Sequence, residues 1–482
     1  MIIRTDRLTE LGAETTGRVM VIAGTRPEFI KLAPVIDGLR QTRTVDLVFI
    51  SSGQHFDAKM SETFIKELGL PEPTENFKAG GRSDAQQIAK IIGASESAIR
   101  RYEPQIVLAE GDTNTVVAVA LAAAKVGVPF WHVEAGLRSF DRTMPEEINR
   151  ILSDGCSELC LCPTEISALN LSREGILPHR VRITGNTVVD ACQKYVAKSF
   201  SRSNILSELG LKDRFGLVTI HRKENVDNFE RLSRVVEALC GLDQIDLVFP
   251  IHPRTKRRLA KSMLWQRMVR SPHIVLCEPL GYFDFLRLLA SSVVVLTDSG
   301  GVQEEALTLR VPCLTIRENT ERPETVMAGG NTLVGTRKEA IASALNDVLY
   351  DPTRAIARIA RENPLGDGRA GARIATICSE YCEGIVSTAD SFSSDFKYDG
   401  LTILTVRAED HGVTVEEFCD RIGQVMSTTV YDRAGNPIIP KADLTLQKGW
   451  IVCLHGHRTD LPISTTIRRD NRLPLGKVSH RR

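Results

Sequence analysis

The 482-residue sequence predicts an α/β protein with two doubly wound domains and a small α+β module appended at its C-terminal end. Three observations carry this. Short apolar runs, each followed by apolar residues at helical spacing, recur through the first half of the chain and again through the second, which implies parallel sheets covered on both faces. Polar clusters follow these runs directly, where open α/β sheets place their ligands. A stretch rich in Ser and Asp, Thr388 to Gly400, reads as a linker to a last segment of different pattern.

Composition narrows the function classes. A chain of this length exceeds one ordinary core and calls for two or three domains. With 42% hydrophobic residues it has enough apolar side chain for a globular core, yet no apolar run is long enough to span a bilayer, so no membrane partner is implied. The formal net charge of +1 gives no global basic field, and nucleic acid is not an implied partner. The N-terminal extension, 1–17, mixes charged and polar residues without the apolar core of a secretory signal, and the chain reads as cytoplasmic. Cys240, Cys313 and Cys453 sit in apolar contexts, as buried thiols do. Cys156, Cys160 and Cys162 lack the spacing of a zinc site.

Taken in order, Arg18 to Ala23 is a strand that stops at Gly24, after which Phe29, Leu32, Ala33 and Ile36 recur at helical spacing. The turn Gly24-Thr25-Arg26-Pro27-Glu28 combines a glycine for close backbone approach with a proline suited to a first helical turn. With Arg26 in the turn and Lys31 one turn further on, this helix start reads as an anion site. It matches neither the dinucleotide fingerprint nor the phosphate loop of nucleotide hydrolases. Val45 to Ile50, Gln105 to Ala109, Val128 to Val133, Glu158 to Cys162 and Val181 to Thr184 are the next strands. Asp112, after the strand ending at Ala109, is read either as the cap of a helix over Thr113 to Lys125 or as a functional carboxylate.

His132 to Arg150 is the most charged strand end, with Glu134, Arg138, Asp141, Arg142, Glu146, Glu147 and Arg150. Carboxylates beside guanidinium groups suit proton transfer next to an anionic substrate, and an exposed salt-bridged loop is the competing reading. In the second half, Gly216 to Ile220, Leu247 to Pro250, Ile274 to Cys277, Val293 to Thr297 and Cys313 to Ile316 read as strands. His221, His252 and the run Asp298 to Glu305 lie at their ends. Ser299, Gly300 and Gly301 open a helix whose free N–H groups and hydroxyl suit a diphosphate, with Glu305 placed for ribose hydroxyls. Two such domains form a cleft, a favoured ligand site.

The ordered set Gly24-Thr25-Arg26-Pro27-Glu28, Glu110-Gly111-Asp112-Thr113, His132-Val133-Glu134-Ala135-Gly136-Leu137-Arg138, Pro145 to Arg150, Gly185 to Asp190, His221 to Asn225, Asp298 to Gly301 and Glu321 to Glu324 resembles the motifs of non-hydrolysing UDP-N-acetylglucosamine 2-epimerases, over about Arg18 to Ile385. The resemblance implies two Rossmann-like domains of the glycosyltransferase-B type, a last core helix near Asp367 to Ile385 crossing back to the first domain, and a homodimer. The domains are then expected at 18–186 with 366–387, and at 187–365 for the UDP-binding domain, followed by a linker 388–400, a module 401–460 and a basic tail 461–482.

The same resemblance implies reversible epimerisation at carbon 2 of UDP-N-acetylglucosamine, with UDP expelled by anti elimination to leave 2-acetamidoglucal and then added back. Asp112, Glu134 and Glu146 are the implied carboxylates, and His221 stands near the diphosphate and leaving oxygen. Arg26, Lys31 and Arg138 contact the substrate from the first domain, while His252, Ser299, Gly300, Glu305 and Arg322 hold UDP from the second. No cofactor is expected, neither metal nor nicotinamide, because the reaction has no net redox change. Pro27-Glu28-Phe29 stands where hydrolysing relatives have Ala-Asp-Tyr, which favours the non-hydrolysing branch. Gln54-His55-Phe56-Asp57 departs from the Gln-His-Arg stretch of members activated by a second substrate molecule.

Two other readings share this architecture. A UDP-sugar-dependent glycosyltransferase needs mainly one base and a diphosphate clamp, and three first-domain carboxylates argue against it. A catalytically dead sensor would lack one of Asp112, Glu134, Glu146 and His221, and all are present. An epimerase for a related 2,3-diacetamido-uronic acid nucleotide stays open, although its first motif usually reads Gly-Ala-Arg-Pro-Gln. The terminal segment predicts strands at Leu401 to Val406, Val425 to Tyr431 and Trp450 to Leu454, a helix at Val413 to Ile422 and a turn at Asp432 to Asn436. Val430 to Gly456 is similar to the C-terminal ligand-binding module of potassium-uptake regulators.

Overall fold

The computed structural model describes residues 17–54, 64–81, 83–211, 214–260 and 262–385, with short stretches between 401 and 455. The N-terminal extension before Gly17, residues 55–57 of the stretch beginning at Gln54, the linker, the turn at 432–436 and the basic tail lie outside the described residues, as does most of the helix expected over 413–422. Two units separate at Asp390 and Ser391.

The first unit contains two parallel sheets. The first runs β3-β2-β1-β4-β5-β6-β7, from β1 (Gly17–Ala23), β2 (Val45–Ser51), β3 (Glu75–Asn76), β4 (Ile106–Glu110), β5 (Phe130–Val133), β6 (Leu159–Cys162) and β7 (Val181–Ile183). The second runs β10-β9-β8-β11-β12-β13, from β8 (Phe215–Thr219), β9 (Asp246–Pro250), β10 (Ile274–Cys277), β11 (Val294–Thr297), β12 (Cys313–Thr315) and β13 (Asn331–Leu333). These are the two doubly wound domains that the sequence pattern predicts, in the Rossmann-like glycosyltransferase-B arrangement that the family resemblance implies. Strand order reverses between β1 and β4 in one sheet and between β8 and β11 in the other, so the loops after these four strands open at the crevices where such sheets bind ligands.

The second sheet shows why continuous apolar runs form these strands. Side chains alternate between faces, and Val218, Leu247, Phe249, Val294 and Leu296 join one buried cluster while Leu217, Val248 and Val295 join another. Both faces are therefore dry, and each fully buried leucine or valine stabilises by about 1.5–3 kcal/mol. Helices Asp84–Tyr102 and Asn114–Val126 cover the first sheet in the same manner. Asn114–Val126 is capped by Thr113, whose side chain accepts from Thr115 N at 3.2 Å. Asp112 is thereby freed from the capping role.

Helix Ala370–Cys382 comes after the second sheet in sequence but lies against Arg26–Gln41 of the first domain. The contact is close enough that a Cβ on Gly371 would stand 2.6 Å from the backbone of Pro34. Asp190 caps this returning helix, accepting from Ala370 N at 3.1 Å and Gly371 N at 2.8 Å. Among the described residues no helix is long and apolar enough to cross a membrane. Cys160, Cys162, Cys192, Cys313 and Cys378 are buried free thiols.

The second unit carries an antiparallel sheet, Leu401–Thr405, Ile451–His455, Ser427–Tyr431 and Pro437–Ile438 in that spatial order. Thr414 bridges Thr445, and Thr414 and Glu417 exchange the reciprocal bonds of a helix-starting capping box.

Candidate active site

The turn after β1 is shaped by what surrounds it. A Cβ on Gly24 would meet Thr115 Oγ1 at 2.2 Å and Ser52 Oγ at 2.3 Å, so only glycine fits. Glu28 folds back to accept from Gly24 N and Thr25 N, fixing the start of helix Arg26–Gln41. Burial pushes its carboxyl up to about 7, against the hydrogen bonds it accepts. Arg26 reaches the second domain, donating from Nη2 to Leu280 O at 3.3 Å.

One turn on, Lys31 enters a buried ion cluster. Its Nζ contacts Glu134 Oε2, stands 3.1 Å from Glu110 Oε1 and 4.0 Å from Glu304 Oε2. Arg322 completes the set from the second domain, with Nη2 3.0 Å from Glu134 Oε1 and Nε on Glu304. Three carboxylates and two cations share a dry space, and their protonation divides accordingly. Burial raises Glu134, but Lys31 and Arg322 flank both its oxygens, outweigh burial and hold it low, at about 2. Burial keeps Glu110 well above the usual carboxylate range, since Lys31 is its single close cation and the Glu134 and Glu28 charges add to the rise. Burial brings Glu304 up to about 7, with Arg322 and Lys31 opposing.

Glu134 also has φ of +69°, a left-handed conformation uncommon for a side chain other than glycine. Backbone held in this way tends to mark functional positions, where surrounding structure enforces it. Asp112 is 28% exposed at its side chain and contacts Arg150 Nη1. Arg150 in turn donates to Glu147 at 3.0 and 2.7 Å. Glu146 opens helix Pro145–Cys156 and is partly exposed. Burial works against the charge of Arg222 in the second domain, yet Glu321 in contact, with Asp112 and Glu146 beyond it, holds that guanidinium more firmly protonated.

The second domain's wall is built differently. Asp298, buried at the end of β11, accepts from His221 N at 3.0 Å, Arg222 N at 3.0 Å and Asn225 Nδ2 at 3.1 Å, and lies 3.2 Å from His221 Nδ1. His252 caps helix Pro253–Leu259, its Nδ1 accepting from Arg254 N at 3.2 Å, and its ring lies 5.6 Å from that of His221. Burial, then His221 and Arg254, press its pKa down to about 4. Near neutral pH it is an uncharged imidazole with Nε2–H as donor.

Ser299 precedes helix Gly300–Thr308 and makes no capping bond of its own. A Cβ on Gly300 would come within 2.6 Å of Glu321 Oε1, whereas one on Gly301 would meet nothing within 4 Å, so open space lies over this helix start. Glu305, one turn in, is buried, and burial raises its carboxyl to about 7 against the pull of the Tyr282 hydroxyl.

Lys31, Glu134 and Arg322 are thus brought into one cluster, and His221, His252, Ser299 and Gly300 share the opposing wall's switch-point crevice. Arg138, expected at the substrate, makes its close contacts within the first domain. Its guanidinium is buried and engaged by Glu174 at 2.7 and 2.6 Å and by Asp154 at 2.7 Å. Glu110, Glu304, Asp298 and Glu321 are site residues that lie within the motif runs but were given no role by sequence reasoning. Glu110 carries a signal of its own, a carboxylate closing a strand otherwise apolar throughout.

Residues 37–379 match the family described as UDP-N-acetylglucosamine 2-epimerase. The UDP-N-acetylglucosamine 2-epimerase of Methanocaldococcus jannaschii is 43% identical over 366 residues, 75% of this chain and 98% of that one. The UDP-2,3-diacetamido-2,3-dideoxy-D-glucuronate 2-epimerase of Pseudomonas aeruginosa is 37% identical over 74% of this chain and 98% of its own. The crystal structure of the Methanocaldococcus jannaschii enzyme in complex with UDP-GlcNAc and UDP superposes with a TM-score of 0.70 at 43% identity, covering 75% of this chain and 99% of that one. With the family match covering well over half of the chain, the chain belongs to the UDP-N-acetylglucosamine 2-epimerase family.

Proposed function

We propose that the protein interconverts UDP-N-acetylglucosamine and UDP-N-acetylmannosamine by anti elimination and re-addition of UDP. The observation that carries this reading is the meeting of first-domain carboxylates, above all the strained and ionised Glu134, with second-domain cations and a free helix start across one cleft. In the forward step the bond from carbon 1 to the UDP oxygen breaks and UDP leaves with that electron pair, as the bond from carbon 2 to hydrogen breaks, its electrons form the double bond to carbon 1, and the proton passes to a carboxylate. In the return step the UDP oxygen adds to carbon 1 while carbon 2 takes a proton on its other face.

Asp112, Glu134 and Glu146 serve as acid/base groups, with Glu134 held ionised between Lys31 and Arg322. Arg322, Arg222 and the N–H groups at Ser299 to Gly301 stabilise the charge that develops on the departing diphosphate. His221 stands near the leaving oxygen, and neutral His252 donates from Nε2. Arg26 and Lys31 act from the first domain, and Glu305 takes the ribose hydroxyls. The chemistry has no net redox change and requires no metal or nicotinamide. The reading extends to a cytoplasmic homodimer supplying an activated amino sugar for polysaccharide synthesis.

The test is incubation with UDP-N-acetylglucosamine in deuterated water, without added metal or nicotinamide, followed by NMR. The expected product is the C2 epimer carrying deuterium. Free N-acetylmannosamine as the main early product would place the protein in the hydrolysing class, and unexchanged starting material would refute epimerisation of this substrate. The similarity to the Pseudomonas aeruginosa enzyme favours one second reading, the same reaction on a diacetamido-glucuronate nucleotide. The same exchange assay with that nucleotide decides between them.

A further inference from the structure

His132 sits at the heart of the first domain, fully buried on β5, and the two partners of its ring have an unusual combination. Nδ1 lies 2.6 Å from Asp154 Oδ1, and Nε2 lies 2.7 Å from the carbonyl oxygen of Gly111. A carboxylate and a carbonyl oxygen are both acceptors. A neutral imidazole carries one N–H, so it would satisfy one partner and turn a lone pair toward the other. Only the doubly protonated ring donates to both.

The surrounding charges agree. Around His132 and Arg138 stand Asp154 and Glu174, and the four balance as two cations and two anions when the ring is charged. Burial raises the Asp154 carboxyl, but His132 and Arg138 outweigh it and hold it ionised. The remaining faces offer the ring of Phe130 in a stacked arrangement at 6.1 Å and Cys160 as the register neighbour on β6. On β4 the register neighbour is Ala109, followed by Glu110 and Asp112.

What this pair touches gives it a purpose. Gly111 immediately precedes Asp112, and Asp154 Oδ2 also accepts from Gly136 N at 3.2 Å, two residues after Glu134. Gly111 and Gly136 both have positive φ, +88° and +83°, as does Glu134 itself. The turns that aim the two carboxylates are thus tied to one another through a single side-chain pair. We propose that His132, donating from both ring nitrogens as an imidazolium, acts with Asp154 as a positioning pair for both Asp112 and Glu134. The catalytic half of this proposal rests on the epimerase reading, and the protonation half stands apart from it.

The experiment uses the full chain labelled with nitrogen-15 histidine, with the His132 signals assigned by their loss in His132→Asn. Both ring nitrogens should show a directly bonded proton near neutral pH. A ring with a single protonated nitrogen overturns the proposal. For the positioning role, Asp154→Asn and His132→Asn are compared by separate measurement of kcat, KM and UDP affinity. The expected result is a fall in kcat on the order of tenfold or more, with UDP affinity within about twofold because UDP belongs to the other domain. Unchanged kcat in Asp154→Asn, or matching losses of kcat and UDP affinity, would show that the pair does not position the carboxylates. An inactive wild-type protein would defeat the epimerase reading while the NMR result still decides the state of His132.

Discussion

The two walls of the cleft deal with charge in opposite ways. The first-domain wall buries it: Lys31 stands beside Glu110 and Glu134, with Glu304 and Arg322 reaching in from the second domain, and all five side chains are almost fully enclosed. The second-domain wall leaves its groups partly open, with His221 39% exposed at its side chain, an uncharged His252 and a helix start facing free space. A buried ion cluster is costly to assemble and damaging to break, whereas open donors at a helix start cost little and accept an anion readily. The difference teaches a division of labour: one wall holds carboxylates at defined protonation, and the other receives the leaving group.

Removal of one cation from the cluster breaks this comparison most severely. Arg322→Met leaves Glu134 and Glu304 with Lys31 alone, and stability should fall by about 3–5 kcal/mol, read by chemical denaturation. Unchanged stability would mean that the cluster is not the closed, dry unit described here.

Next in size is the effect of Glu134→Gln on turnover. Loss of an acid/base group should slow epimerisation by on the order of a hundredfold or more, with UDP affinity retained. The same direction is expected for Asp112→Asn, Glu146→Gln and His221→Asn. A folded variant with wild-type rates removes that residue from the mechanism.

These assignments show how far the sequence could be read. Strands buried on both faces, such as β8 and β11, announce themselves as apolar runs, and the polar ends that follow them mark the site. Glu75–Asn76 and Asn331–Leu333 escaped because they are short edge strands without an apolar run, paired to β2 and β12. Asp112 was legible as a carboxylate but not as distinct from a helix cap, because Thr113 beside it competes for that position and takes it. Arg138 reads like its neighbours in the motif. That it turns inward to Glu174 depends on a residue 36 positions away. Glu110 and Glu304 meet Lys31 only through the tertiary fold, and no periodicity reports that.

A smaller effect concerns pH. The folded protein holds the Glu304 carboxyl at about 7, raised from the about 4.3 expected in an unfolded chain. Between these values the folded state binds more protons than the unfolded one, so this group's contribution to stability falls as pH rises through the window and is constant above it. Thermal denaturation of wild type and Glu304→Gln should therefore diverge in the variant's favour from about pH 4.5 to about pH 7. A constant difference would place the proton elsewhere in the cluster.

On the opposite wall, UDP should raise the pKa of His252 from about 4, since a bound diphosphate favours the imidazolium. The shift is read by NMR titration with and without UDP, and no shift would remove His252 from the diphosphate's surroundings. The smallest effect is expected from deletion of Thr388 to Arg482. The cluster and both switch-point crevices are complete within the first unit, so epimerase activity should stay within about twofold. A soluble but inactive product would show that the core needs the appended module.

The most direct test of the division of labour follows a heavy-oxygen label placed in the bridge between carbon 1 and the β-phosphate of UDP-N-acetylglucosamine. If the second-domain wall receives a free UDP while the first-domain carboxylates handle the carbon 2 proton, the label must scramble into the non-bridging β-phosphate positions. It should do so during turnover, at a rate comparable to deuterium incorporation at carbon 2. Epimerisation with deuterium uptake but with the label retained in the bridge would show that the bond to carbon 1 never breaks, and would contradict the elimination account.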